Sequence, residues 1–212
     1  MTQKRRAFLR WSAAGFAGLV LPQPTLDVRA SSPIPEDAWL DAIAGKKFRA
    51  FLDVGRYAMD GTPFRRAAAL YATLHDHYGA TDDDTGVAFG AHSTALAYLV
   101  SRATWDELGL VDLIAPHLNA ADAASLRANP GAAVTIGVEG VRQLRAHGSR
   151  VLACRNTIAR WARELSTKRG EPVDVLTQKL TSGLHEGVEP VPAMIAAAVM
   201  AQSRNVAYVA IE

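Results

Sequence analysis

Three side chains stand where chemistry is feasible: Cys154, His92 and Asp53. Cys154 is the single cysteine of the 212-residue chain. It ends the apolar run Arg150-Val151-Leu152-Ala153 and precedes Arg155-Asn156-Thr157, which reads as a helix start with Asn156 or Thr157 as its cap. A helix start presents free N–H groups and partial positive charge, and Arg155 adds to it. That setting favours a thiolate and can hold a persulfide or another anion through Arg155, Asn156 and Thr157. The competing interpretation is an inert cysteine filling space as a small apolar residue. His92 follows Gly86-Val87-Ala88-Phe89-Gly90-Ala91, a second strand-like run, and can serve as a base or as a cation beside a thiolate; a purely structural histidine competes with that role. Asp53 is the last residue but one of Phe48-Arg49-Ala50-Phe51-Leu52-Asp53-Val54, with Arg56 just beyond; Asp53 is a binding candidate there, against the plainer reading of both as turn and surface groups.

These three residues meet if the runs that carry them are parallel strands, because such strands end on one edge, where ligands of open sheets bind. The rest of the pattern agrees. Apolar residues at 64, 67, 68, 70, 71 and 74 have helical spacing behind Pro63 and stop at Gly79. A helix over about 95–103, capped by Ser93 or Thr94, is expected after the second strand. Residues 104–135 are broken by Gly109, Pro116 and an Asn129-Pro130-Gly131 turn, with a short helix at 120–128. Helices are expected at 138–146, 156–169, 174–180 and 193–203, and strands at 150–154, 188–192 and 206–211. Strands alternating with helices predict an α/β fold: a mostly parallel sheet of about five strands covered by helices on both faces.

The first thirty residues read differently. Lys4, Arg5, Arg6 and Arg10 precede the uncharged run Trp11–Leu21, then Pro22, Pro24 and Val28-Arg29-Ala30. This is the three-part layout of an export signal, and Arg5-Arg6-Ala7-Phe8-Leu9-Arg10 resembles the twin-arginine motif, with Lys4 in place of the usual Ser or Thr. The run is about half the roughly 20 residues a spanning helix needs. The expectation is a removable signal over 1–30, an extension over 31–45, one domain over 46–212 and a periplasmic location without a membrane anchor. Of the 23 Lys+Arg and 21 Asp+Glu, five and one fall in those thirty residues, so the remainder carries a formal excess of two acids. That balance offers no basic footprint for nucleic acid. A lone cysteine also excludes a disulfide-built fold.

Other signals are weak. His75 and His77 diverge on a helix, Asp82-Asp83-Asp84 lacks calcium-loop spacing, and Ser93 is not in a G-x-S-x-G elbow. No phosphate-binding glycine loop occurs. Neither a metal nor another cofactor is expected.

From Cys154 onward the order of motifs resembles the C-terminal half of DsrE/DsrF-like proteins. The matching pieces are Cys154-Arg155-Asn156-Thr157, Leu184-His185-Glu186-Gly187-Val188-Glu189-Pro190-Val191-Pro192-Ala193, Ala201-Gln202 and Val206-Ala207-Tyr208-Val209. Gly90-Ala91-His92 is similar to the strand-end histidine region of that family, and Trp39-Leu40 with Gly45-Lys46 resembles its exported, twin-arginine relatives. The resemblance implies a three-layer αβα, flavodoxin-like (DsrE-like) sheet, a homo-oligomer and a persulfide-carrying cysteine, for which Cys154 is the candidate, with a sulfur donor or acceptor protein or a small sulfur compound as partner. Thr157 stands where some relatives have a second cysteine, and residues 104–135 look like an insertion. A non-catalytic periplasmic binding or assembly domain is the alternative, and a small-molecule enzyme built on His92 a more distant one.

Overall fold

The computed structural model describes residues 38–211; the expected signal and residues 31–37 of the extension lie outside them. The elements in chain order are α1 (Ala38–Ala44), β1 (Phe48–Val54), α2 (Thr62–Tyr78), β2 (Thr85–Ala91), α3 (Arg102–Leu108), α4 (Leu110–Ile114), α5 (Ala120–Ala128), α6 (Pro130–Ala146), β3 (Arg150–Cys154), α7 (Arg155–Arg169), α8 (Val173–Ser182), β4 (Val188–Val191), α9 (Met194–Ser203) and β5 (Ala207–Ile211). Short 3-10 turns cover Asp82–Asp84, Ser93–Leu99 and Ala115–His117. All five strands are parallel, in the order β4-β3-β2-β1-β5. The predicted α/β class with a five-stranded parallel sheet between two helical layers is what the chain adopts.

The order explains the layering. From β1 to β4 the chain steps one strand at a time in one direction. Right-handed crossovers then place every intervening helix on the same face. The crossover from β4 to β5 runs back to the far side of β1, so the same handedness sends α9 to the other face. Two separate hydrophobic clusters match this. Ala50, Leu52 and Val54, with Val87, Phe89 and Ala91 and with Val151 and Ala153, join Phe64 and Tyr71 of α2, Val141 and Leu144 of α6, Ile158, Trp161 and Leu165 of α7 and Leu176 and Leu180 of α8. The alternate residues Phe51, Ala88, Leu152 and Cys154 join Trp39, Leu40 and Ile43 of α1 and Met194, Ala197, Ala198 and Ala201 of α9. This is the period-two alternation of strands, buried on both faces as parallel sheets require. β2 is buried at all seven positions.

Local expectations need three corrections. Asn129-Pro130-Gly131 is a helix start, not a turn: the Asn129 side chain accepts from the Ala132 N–H and Pro130 takes the first helical position, so α6 begins eight residues before the expected 138. Ser93 and Thr94 cap no α-helix; Ser93 has φ 51° and opens a buried 3-10 turn, and the helix that follows is α3, capped by Ser101. Neither Asn156 nor Thr157 caps α7, because the helix begins at Arg155 with Cys154 in the cap position.

Candidate functional site

The register assembles the site. Ala91 pairs with Val54 on one side and Ala153 on the other, so the next residues, Gly55, His92 and Cys154, stand side by side at the carboxyl edge of the sheet. Alternation turns Asp53, His92 and Cys154 toward the α9 face. The His92 N–H donates to the Val54 carbonyl at 3.0 Å, extending the strand ladder by one residue.

The loops around this edge are tied to one another. Thr157 Oγ1 accepts from the Ser93 N–H at 3.1 Å, which links the start of α7 to the turn after β2. Thr94 Oγ1 accepts from the Tyr57 N–H at 3.0 Å. The Tyr98 hydroxyl donates to the Ala58 carbonyl at 2.6 Å and accepts from the Ala58 N–H at 2.8 Å, fixing the loop after β1. Ser93, in a left-handed conformation unusual for a side-chain-bearing residue, sits inside this lattice and next to His92.

Glycine at 55 decides how His92 lies. A methyl group there would stand 3.0 Å from His92 Cε1 and 3.2 Å from Nε2. The bare backbone lets the ring lean from β2 over β1, with Nε2 3.2 Å from Asp53 Oδ1. The contact has ion-pair distance, but the ring N–H is not aimed along it, so Oδ1 is buried without a directed hydrogen bond among the described residues. Asp53 Oδ2 accepts from the Tyr208 hydroxyl at 2.7 Å. Tyr208 comes from β5, next to β1 in space, and its ring lies nearly parallel to Phe51, 6.4 Å between centroids.

The electrostatics follow from these contacts. Burial pushes the Asp53 carboxyl up, but the close approach of the His92 ring, the hydrogen bond from the Tyr208 hydroxyl and the His92 charge outweigh it and hold the carboxyl below its usual value. The Asp53 hydrogen bond, with burial and the carboxylate charge adding to it, pushes the Tyr208 phenol up to about 12. The linkage signs are opposite. The carboxyl stabilises the fold above its unfolded-state value and that contribution is lost as pH falls through the depressed one. The phenol's contribution is present below its ordinary value of 10 and disappears as pH rises through about 12. Asp53→Asn is therefore expected to bring the Tyr208 titration midpoint from about 12 down toward 10, read by NMR of labelled tyrosine assigned with Tyr208→Phe; an unmoved midpoint would refute the coupling.

Asp53, His92, Tyr208 and Cys154 line one cleft of about 430 Å3, together with Asn156 and the α9 side chains Met194, Ile195, Ala198, Val199 and Gln202. Cys154 is at its floor, 5% exposed. Its sulfur makes no hydrogen bond among the described residues, and His92 is turned from it toward β1. α9 reaches the sheet because Gly90 is bare: a methyl there would overlap Met194 Sδ and come within 2.9 Å of Phe51 Cζ. Arg155 is exposed at the first position of α7, beside the cleft lining. Thr157 is buried and spent on the Ser93 contact.

The structure thus brings Asp53, His92, Cys154 and Asn156 together, as strand-end position suggests. Tyr208, Gly55 and the α9 wall escape sequence reasoning, because they depend on β5 lying beside β1 and on α9 crossing the opposite face. A larger cleft of about 610 Å3 opens at the amino edge, lined by Tyr71, His75, Asp76, Asp82 and His147. His75 pairs with Asp76 and His147 with Asp82, all on the surface, and no thiol is near. No group of three or more His, Cys, Asp or Glu among the described residues has the arrangement to hold a metal ion. None of the helices described is long and apolar enough to cross a membrane.

Fold and site together define an α/β protein with a buried thiol, a histidine–aspartate pair and a tyrosine sharing one sheet-edge cleft. No family model matches the chain, and no curated protein sequence matches it.

Proposed function

We propose that this protein is an exported, DsrE-like sulfur carrier that holds sulfane sulfur as a persulfide on Cys154. The observation that carries the proposal is the thiol at the floor of the cleft, with Asp53, His92 and Asn156 around the same opening. The transfer needs no external oxidant. The Cys154 thiolate attacks the outer sulfur of a sulfane donor, an S–S bond forms to Cys154 as the donor's S–S bond breaks, and the donor leaves as its reduced anion. The cleft accommodates a small donor or the tip of a donor or acceptor protein. The export reading rests on Lys4–Arg10 and the apolar run behind them.

A second reading, a periplasmic assembly or binding domain with the same fold, is favoured by a different observation. Ile195 and Val199 of α9 and Tyr208 and Val209 of the edge strand β5 are exposed at 78%, 61%, 42% and 42%, and α9 is apolar around its whole circumference. Such a helix and an uncharged edge strand ordinarily meet another surface, and a homo-oligomer would cover them.

One experiment separates the two. Purified protein is exposed to polysulfide and to thiosulfate, and Cys154 is followed by intact-mass spectrometry alongside its mass in solution. The carrier reading predicts gain of a sulfur atom that Cys154→Ser abolishes while the solution mass stays unchanged. Failure of every sulfane donor to load the wild-type thiol would leave the assembly reading.

A further inference from the structure

The two edges of the sheet are finished differently. β4, at one edge, is four residues long, carries Pro190, which has no N–H to offer, and holds Glu189 in an ion pair with Arg150 at 2.9 Å. Short length, proline and charge are the features that keep an edge strand from pairing with another chain. β5, at the other edge, lacks the last two. It is uncharged and free of proline from Ala207 to Ile211, pairs with β1 alone among the described residues, and is exposed at its first four positions. Its outward N–H and C=O groups form a surface on which a further strand can pair.

A second exposed surface adjoins that edge. α9 packs on β1 and β5, and its Ile195 and Val199, one turn apart, stay exposed at the border of the cleft together with Tyr208. Antiparallel neighbours in one sheet are related by a two-fold axis normal to it, so a second copy joined through β5 brings its own α9 to the same face. Strands lie about 4.8 Å apart, which puts that axis about 2.4 Å beyond β5 and about 7 Å from β1. A helix over β1 and β5 is then about 5 Å from the axis and about 10 Å from its mate, within reach of the roughly 8–10 Å of packed helices. An added peptide strand would bring no helix to meet α9. Self-pairing also demands a patch complementary to itself. No charge lies between Val206 and Ile211, so antiparallel pairing sets no like charges against each other. Ile195, Val199, Tyr208 and Val209 leave on the order of 400 Å2 exposed, and both copies together, with the alanines and backbone of β5, reach the roughly 1,000 Å2 of a specific interface.

Resting on the assembly reading, we propose that two copies join through β5, antiparallel across a two-fold axis, into one continuous sheet with five strands from each copy and the two α9 helices packed over the join. Ile195, Val199 and Tyr208 belong to the cleft as well. The second copy therefore walls off the β5 side of the cleft and leaves the carboxyl edge, beside His92 and Asn156, as the approach to Cys154.

Light scattering on the full chain across a dilution series, with hydrogen exchange read over residues 206–211, tests this. A dimer is expected, with β5 amides that lose protection as it dissociates. Val209→Lys sets two cations at the join without touching the cleft lining, and should raise the dimer dissociation constant about a hundredfold, because like charges brought together across an interface are strongly unfavourable. Ile195→Glu should act in the same direction through α9. Val173→Lys, at a comparably exposed valine on α8, should change nothing, and circular dichroism of each variant checks that the fold is kept. A trimer or larger ring, or a dimer that both Val209→Lys and Ile195→Glu leave intact, overturns this inference while the assembly reading stands. A monomer at every concentration removes both.

Discussion

Replacing Phe89 by alanine is expected to cost about 3–5 kcal/mol, the range for emptying a large aromatic site. Phe89 lies in β2, the middle strand, and has no exposed surface. Its ring stacks on Phe64 of α2 at 5.1 Å, and Phe64 in turn meets the edge of Tyr98 at 5.0 Å. The cavity would open among rings fixed from three directions: a central strand, a long helix and a turn pinned by the Tyr98 hydroxyl. None of the three can collapse inward without disturbing the others, which places the cost toward the top of the range. In a domain of this size that corresponds to a fall in melting temperature of about 10–15 °C. A thermal scan giving a fall of only a degree or two would mean that the cluster relaxes far more freely than its contacts allow.

The second large effect comes from adding a single carbon. A methyl at Gly137, inside α6, would overlap the carbonyl oxygen of Tyr98 and lie 2.9 Å from its carbonyl carbon. Those are backbone atoms, so no rotamer change can yield the space. Alanine in place of a mid-helix glycine gains about 1 kcal/mol in helix propensity. Overpacking against fixed atoms costs about 3 kcal/mol, the upper part of its usual range. The clash wins, and Gly137→Ala should lose about 2 kcal/mol net, or roughly 4–8 °C in melting temperature. Gly45→Ala is the control. Nothing lies within 4 Å of the added carbon there, and its φ is not in the left-handed region. It should be neutral or slightly stabilising. If Gly137→Ala behaves like Gly45→Ala, the close approach of α6 to the turn after β2 is wrong.

Much of the scaffold is legible because its punctuation is local. The strand-like runs 48–54 and 150–154 and the short helix at 120–128 coincide with the observed Phe48–Val54, Arg150–Cys154 and Ala120–Ala128, the last opened by the Asn119 side chain accepting from the Asp122 N–H. The start of α6 was also written locally, but Asn-Pro-Gly serves both turns and helix starts. Only the packing of Val134 and Gly137 against the core decides between them. The turn at Ser93–Leu99 is apolar from Ala95 onward apart from the Tyr98 hydroxyl and is buried from Thr94 to Leu99. Uniform burial erases the periodicity by which a helix is recognised.

The site divides in the same way. Asp53, His92 and Cys154 are found from strand ends alone, because parallel strands share a carboxyl edge. Tyr208 is not found, since nothing near residue 208 announces that β5 will return to lie beside β1. The orientation of His92 is likewise invisible until Gly55 is seen to be its neighbour. The same spacing that identifies a histidine near a thiol does not say that the ring is turned toward a carboxylate.

The two faces of the sheet also differ in how firmly their covers are held. α7 buries Ile158, Trp161 and Leu165. The face α9 presents to the sheet is Met194, Ala197, Ala198 and Ala201, one large side chain and three methyl groups. At about 25 cal/mol per Å2 of apolar surface, the methyl groups contribute little anchoring each. Local openings draw on such differences, and the segment with the least buried apolar surface separates first while the remainder of the domain stays native. Between α7 and α9 the weaker cover is the cleft wall, so an opening confined to it would uncover the thiol without unfolding the rest of the domain.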